Sequence, residues 1–146
     1  MLTSQLRSCA LAAIAFAAGS LLTSHLMTNR TAHAASTRVF ELRMYHTFPG
    51  RLPALQKRFR EHTIDIFNRH HMTSIAYWVP QDSPQHDNLL IYVIAHESRD
   101  AAKKNWAEFS ADPEWQAVSK ASEVDGKIVE KVDSTYMDPA DYSPIK

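Results

Sequence analysis

Glu41, Arg43 and Tyr45 are side chains whose types and spacing could do chemistry. They alternate along residues 39–45, so they would share one face of a β-strand. A partly buried guanidinium offers several fixed donors, and a phenol adds another, so Arg43 and Tyr45 could bind an acidic or carbonyl ligand. The alternative is a structural ion pair in which Glu41 and Arg43 fix the register of a partner strand.

Three histidines form a second candidate group. His62 falls near the apolar side of a predicted helix, and His70 and His71 lie at the C-terminal end of that helix. A zinc site needs three or four converging ligands, and eight helical residues separate His62 from His70 by about 12 Å, too far for one ion. We therefore predict no metal site and no cofactor, although one histidine could still be an axial haem ligand or move a proton. The alternatives are a buried, hydrogen-bonded His62 and a cationic helix end.

Large aromatic residues could line an apolar pocket between a sheet and its helices: Tyr77, Trp78, Trp106 and Trp115. Such residues also serve as core or interface anchors. The sequence contains neither a glycine-rich phosphate loop nor a nucleophile elbow. Catalytic residues therefore stay unidentified, and the candidate ligand-binding residues are Arg43, Tyr45, His62, Tyr77, Trp78, Trp106 and Trp115.

The hydrophobic pattern predicts the elements that must position these residues. Apolar residues alternate in residues 38–46, recur at spacings of three and four in residues 52–70, and form short runs in residues 73–79 and 89–96. Ser98 and Asp112 are typical helix N-caps, and a last strand is expected at residues 127–137. The order β-α-β-β-α-β predicts an α+β, ferredoxin-like fold: a four-stranded antiparallel sheet with its helices on one face.

The strand at residues 89–95 is apolar without interruption, so both of its faces must be buried. Helices would cover only one face of the sheet, and a wet apolar face drives association. We therefore predict a homodimer whose two sheets pack face to face into an α+β barrel, with Glu41, Arg43 and Tyr45 on the barrel-facing side. The alternative is a monomer with a polar second face.

Short motifs spread over residues 39–132 resemble the NIPSNAP family. They are Phe40-Glu41-Leu42-Arg43, Tyr45, Pro49-Gly50, His62, Arg69-His70, Tyr77-Trp78 and Ala111-Asp112-Pro113-Glu114-Trp115-Gln116. The resemblance departs at His71 and Met72, where many relatives have glycine or a small residue after the helix.

The resemblance implies a member of the dimeric α+β barrel group, which also holds small oxygenases, some free of cofactor and some haem-binding. The family's biochemical activity is poorly defined. The resemblance therefore implies a small-ligand-binding or scaffolding module, for a small apolar or carbonyl-bearing ligand. The alternative is a small oxygenase or isomerase that uses the pocket between helices and sheet.

Composition bounds the choice of partners. The chain has 146 residues, 45% of them hydrophobic, enough for one domain with a core. Its 16 basic residues equal its 16 acidic ones, which argues against nucleic acid as a partner. Cys9 is the only cysteine, so the chain forms no internal disulfide.

Residues 1–34 have the pattern of a secretory signal peptide. Arg7 precedes an apolar run at residues 9–22, and Ala32-His33-Ala34 offers a cleavage site after Ala34. If Leu26 and Met27 extend the apolar run, the segment could instead remain as an uncleaved membrane anchor. We predict a periplasmic or secreted domain at residues 35–146, with 14 basic against 16 acidic residues and a formal charge of −2.

Overall fold

The computed structural model describes residues 38–146, and the predicted export segment lies outside them. The order of elements is the one that the sequence predicts. The elements are β1 (Val39–Thr47), α1 (Leu52–Arg58), a π-helical segment (Phe59–Thr63), α2 (Ile64–Arg69), β2 (Thr73–Trp78), β3 (Leu89–His96), α3 (Arg99–Ala111), α4 (Pro113–Ser122) and β4 (Val129–Met137).

The strands form one antiparallel sheet in the order β2-β3-β1-β4. In the centre, Leu42 of β1 lies opposite Val93 of β3 and Thr135 of β4. The strands at the middle of the sheet are thus the two that the sequence marks by alternation and by an unbroken apolar run. The predicted α+β, ferredoxin-like fold is confirmed.

The core lies between the sheet and the helices. Tyr92 and Ile94 of β3 are fully buried there against Leu55, Ile66 and Phe67 of the first helical stretch. Burying a side chain of this size stabilises the fold by about 2 kcal/mol relative to leaving it in water. The apolar spacing in residues 52–70 therefore predicts the correct buried face.

One detail of the first helical stretch departs from the predicted regular α-helix. At the π-helical segment the Ile64 N–H donates to the Phe59 carbonyl, one residue farther back than in an α-helix. The Thr63 hydroxyl donates to the Arg58 carbonyl at 3.2 Å, so this side chain is bonded to the backbone of the preceding turn. The periodicity gives no sign of this single extra residue, which rotates every later side chain of the stretch.

The face assigned to Glu41, Arg43 and Tyr45 was wrong: these side chains point toward the helices. The Trp106 indole of α3 donates to the Glu41 carboxylate at 2.6 Å. Alternation shows which residues share a face but not which face the helices cover. A buried carboxylate needs donors, and α3 supplies one.

The open face of the sheet carries the other set of alternating residues. Leu42 and Met44 of β1 lie opposite Val93 and Ile91 of β3, and all four are only partly buried. The tail at residues 138–146 covers one end of this face, where a cavity of about 450 Å³ lies between Phe40 and the tail. In residues 38–146, no helix is long and apolar enough to cross a membrane.

Asp112 connects three helices at one end of the domain. Its Oδ1 accepts the Glu114 N–H at 2.8 Å and so caps α4, while its Oδ2 accepts from His70 at 2.8 Å and Arg69 at 3.2 Å. Arg69 also binds Glu114 at 2.7 Å. Hydrogen bonding from His70, aided by backbone N–H groups and Arg69, holds the Asp112 pKa well below its usual range. The predicted cap is thus also an ion-pair centre.

His71 ends the first helical stretch in a conformation that glycine usually supplies. Its φ is +57°, its N–H donates to Asn68, and the Met72 N–H donates to Phe67, the pattern of a Schellman motif. A left-handed backbone at this position favours glycine, which has no Cβ.

We expect His71→Gly to stabilise the protein by about 1 kcal/mol, because glycine removes the cost of a side chain at positive φ. Thermal or urea unfolding measures the change. His71→Ala is the matched control, since it removes the imidazole but keeps the strained Cβ, and it should give no such gain. Equal stability of the two variants would show that φ strain is not the cause.

Candidate functional site

Arginines and large aromatic residues meet between the sheet and helices α3 and α4. We call this group the arginine–aromatic cluster: Arg43, Tyr45, Arg58, Tyr92, Trp106 and Trp115. The Arg43 guanidinium lies 4.1 Å from the Trp106 ring centre and 5.4 Å from that of Tyr45. The Arg58 guanidinium lies 5.2 Å from the ring centre of Trp115. Stacked guanidinium groups of this kind are held in fixed orientations.

A buried carboxylate orients one side of the cluster. Glu41 is 1% exposed, and its carboxylate accepts hydrogen bonds from four side chains. The donors and their distances are Arg43 at 2.7 Å, Trp106 at 2.6 Å, Ser134 at 2.6 Å and His96 at 3.2 Å. Because an ionised carboxylate only accepts, His96 must carry a proton on Nε2.

The donors around Glu41 keep it ionised. Burial alone would raise its pKa, but hydrogen bonds from His96, Ser134 and Trp106 and the charge of Arg43 outweigh burial and lower the pKa from 4.5 to about 2. Glu41 is therefore an anion at neutral pH. Its charge neutralises Arg43 inside the domain.

Three buried donors of the cluster lack acceptors. Within residues 38–146, Arg43 Nε, Arg58 Nε and the Tyr92 hydroxyl make no hydrogen bond of acceptable geometry. Both arginines interact electrostatically with Tyr45 and Tyr92, and the Tyr92 hydroxyl itself interacts with Tyr45. Buried polar groups in native proteins are almost always paired. An oxygen-bearing ligand would supply the acceptor.

The two arginines differ in how strongly they hold their charge. Burial lowers the pKa of Arg43, but Tyr45, Tyr92 and Glu41 together raise it above its ordinary value. Burial lowers the pKa of Arg58, and Glu123, 3.6 Å away, only partly offsets that effect. A second anion near Arg58 would add to this partial offset.

The structure brings together four of the seven predicted site residues: Arg43, Tyr45, Trp106 and Trp115. Tyr77 stacks on Tyr92 at 5.5 Å between ring centres and belongs to the core, although its edge borders a cavity of about 320 Å³. Trp78 borders the same cavity and is 50% exposed. Tyr77 and Trp78 therefore lie beside the cluster rather than in it.

His62 does not belong to the cluster. It is exposed, so the expectation of a buried histidine on the apolar stripe was wrong. It borders an outer groove of about 530 Å³ between α1 and α4, together with Lys57 and Arg58. The π-helical segment rotates this part of the helix away from regular periodicity. His70 binds Asp112, so neither histidine points into the interior.

The predicted site residues did not include three side chains that belong to the site or bind its members. They are Arg58, His96 and Ser134. Arg58 lies three residues after Leu55, so it shares the apolar face of α1 and is only 5% exposed. His96 follows Tyr92 and Ile94 in strict alternation. A charged or polar residue at a position whose periodicity demands burial is the signal that identifies both. Ser134 lacks such a signal, because β4 alternates only loosely.

The part of the chain that the structure describes holds no group of three or more histidines, cysteines or carboxylates placed to bind one metal ion. The arginine–aromatic cluster presents fixed hydrogen-bond donors beside aromatic rings. Such an arrangement can bind and orient a carbonyl or carboxylate.

The fold places the chain in the class of small, ferredoxin-like α+β domains. The profile of the NIPSNAP family matches residues 40–144, most of the chain. The chain belongs to the NIPSNAP family. No curated protein shows significant similarity to it.

Solved structures agree with this assignment. A NIPSNAP family protein of unknown function from Agrobacterium tumefaciens is 25% identical, with a TM-score of 0.66 over 78% of this chain and 98% of its own. A NIPSNAP-like domain protein from Burkholderia xenovorans is 19% identical, with a TM-score of 0.65 over 75% and 90%. SnoaB from Streptomyces nogalater, a cofactor-independent oxygenase, is 12% identical, with a TM-score of 0.50 over 74% and 98%. The last two share the fold alone.

We expect the pH dependence of stability to reveal Glu41. Because its pKa is lowered on folding, its contribution is complete above pH 4.5 and is lost as the pH falls to about 2. The loss amounts to about 3 kcal/mol. Glu41→Gln should cost about 3 kcal/mol at pH 7 and flatten this acid limb in urea unfolding.

Glu130→Gln is the matched control, because Glu130 is exposed on β4. Its free energy of unfolding should stay within about 0.5 kcal/mol of the parent protein, with the acid limb unchanged. An unchanged acid limb in Glu41→Gln would contradict the assignment of an ionised, buried carboxylate.

Proposed function

We propose that this chain is an exported, dimeric module that binds a small carbonyl-bearing or acidic ligand in the arginine–aromatic cluster. The observation that carries the proposal is the set of three buried donors without acceptors: Arg43 Nε, Arg58 Nε and the Tyr92 hydroxyl. Ligand oxygens that reach these donors would pair groups that otherwise cost about 1–3 kcal/mol each. Trp106 and Trp115 would contact the apolar part of the ligand.

Charge supports an oxygen ligand of low charge. Arg43 already pairs with Glu41 at 2.7 Å, and Arg58 lies 3.6 Å from Glu123. The interior is thus close to neutral before a ligand binds. A carbonyl or a single carboxylate would accept hydrogen bonds from the unpaired donors. A doubly charged group would be repelled more strongly by the carboxylates of Glu41 and Glu123.

The open sheet face supports the dimer. Leu42, Met44, Ile91 and Val93 form an apolar centre that the helices do not cover. A second copy of the same face would remove this surface from water by twofold symmetry. A partly buried polar group, His46 bound to Asp133 at 3.0 Å, lies next to that apolar centre, as expected at the rim of an interface.

The alternative is a small oxygenase or isomerase, which we expect to show His62 pointing inward within reach of Arg43 or Tyr45. His62 is exposed and borders the outer groove. The likeness of this chain to SnoaB concerns the fold alone. Binding without chemistry therefore agrees better with the geometry. The proposed place of action is the periplasm or the outside of the cell, as residues 1–34 predict.

We expect the full chain to give a dimer mass by native mass spectrometry and light scattering, with each subunit beginning at Ala35. Val93→Lys should shift it to a monomer, because it places a charge at the centre of the open face. Val124→Lys is the control: Val124 is 78% exposed elsewhere, and its variant should stay dimeric. If the parent protein is a monomer, the proposed interface is wrong.

We expect the native protein to retain a small molecule that Tyr92→Phe loses. This variant removes one unpaired hydroxyl and keeps the ring, so the fold should be as stable as before or more so. Arg43→Met should also lose the ligand, and Arg60→Met, on the exposed side of the π-helical segment, should keep it. The readout is the excess mass in the native spectrum, with unfolding curves as the check on folding.

If Tyr92→Phe retains the molecule as fully as the parent protein, the cluster is not its site. If the parent protein carries no molecule and a library of carbonyl and carboxylate compounds gives no thermal shift, the unpaired donors bind water and the binding proposal fails.

A further inference from the structure

The groove between α1 and α4 has the form of a small-molecule site. Its volume is about 530 Å³, within the range of about 300–1,000 Å³ typical of ligand pockets. The two helices run beside each other through small residues, Ala54 on α1 and Ala117 and Ala121 on α4, which leave the groove unfilled. Val118 and Val124 add apolar walls. The surface that these residues offer is aliphatic.

Two arginines converge on Ser122, which lines this groove together with Arg58. Arg51 donates to the Ser122 carbonyl at 3.4 Å and to the Gly126 carbonyl at 2.9 Å, while Arg58 donates to the Ser122 hydroxyl at 3.2 Å. Arg58 is 5% exposed, and the Nε atoms of both arginines are buried without an acceptor among residues 38–146. Two guanidinium groups with spare donors beside one hydroxyl are suited to a carboxylate.

The π-helical segment begins immediately after Arg58. Segments of this kind are often found at functional sites, because the extra residue redirects the side chains around it. Here the segment turns His62 outward to the groove while Arg58 remains beneath α4, over Trp115. The local irregularity thus separates a buried cation from an exposed imidazole within about one turn.

The charges near the groove limit the head group. Arg58 lies 3.6 Å from Glu123, Lys57 lies 4.0 Å from Glu61, and Asp125 also borders the groove. A doubly charged phosphate would be repelled by these carboxylates more strongly than a single carboxylate would. The groove therefore favours a monoanion with an apolar body.

We infer that the α1–α4 groove binds an aliphatic carboxylic acid, with its carboxylate between Arg51 and Arg58 and its chain along Ala54, Ala117 and Ala121. This inference goes beyond the proposed function, because the groove is a second site that shares only Arg58 with the arginine–aromatic cluster. The acid enters from the outer surface, and its head group lies nearest to the cluster.

Decanoate is the test probe, used with the full chain at concentrations at which it remains monomeric. Titration calorimetry should show saturable binding, and fluorescence should change because Trp115 lies beneath Arg58. Decan-1-ol, which lacks the charge, and acetate, which lacks the chain, should each bind at least tenfold more weakly. Equal binding of decanoate and decan-1-ol would overturn the carboxylate assignment.

Ala121→Leu should fill the groove and weaken decanoate binding at least tenfold without loss of stability. Ala107→Leu, at an exposed position of α3, is the matched control and should bind as the parent protein does. Arg51→Met should weaken decanoate but not decan-1-ol. If Ala121→Leu binds decanoate normally, the groove is not the site.

The failures of the two proposals can be told apart. Loss of binding in Ala121→Leu with normal binding in Tyr92→Phe would support the groove and remove the inner cluster from ligand binding. Loss of the retained molecule in Tyr92→Phe with no decanoate binding in the parent protein would keep the cluster and overturn the groove inference.

Discussion

The buried negative charge of Glu41 is the constraint on which the rest of the site depends. A carboxylate that is 1% exposed is stable only if charged or polar donors surround it. The donors come from β1, β3, β4 and α3, so a single group connects the two central strands, an edge strand and a helix. The same contacts fix the directions of Arg43 and Trp106, which form one wall of the arginine–aromatic cluster.

Much of the fold followed from local patterns. The unbroken run at Leu89–His96, the Ser98 cap and the pair Asp112-Pro113 were read correctly, because strand length, caps and proline positions are set by nearby residues. The covered face of β1 was not predicted correctly, because alternation is symmetric and only the packing of α3 decides which side is covered. His62 was misplaced for a related reason: one extra residue in a π turn changes the face of a helix without changing its composition.

The candidate site could be predicted only in part because its members differ in kind. Arg43, Tyr45, Trp106 and Trp115 stand out by type, and the structure joins them through ring and guanidinium contacts. Arg58 and Tyr92 sit at positions that periodicity assigns to the core. What makes them functional candidates is the pairing state of single atoms, and no sequence pattern shows whether a buried donor has an acceptor.

The proposed dimer interface and the proposed binding sites lie on opposite faces of the sheet. The open face, with Leu42 and Val93 at its centre, lies opposite the helices, while the groove and the cluster lie on the helical side. A dimer built on the open face would therefore leave both grooves of the pair accessible, and binding in one would not require the interface to open. Since Glu41 and Arg43 point away from that interface, their ion pair cannot set the register of a partner strand. It acts instead within one subunit, where it holds a guanidinium with a spare donor beside Tyr45, and this is why ligand binding should survive in a monomeric Val93→Lys variant.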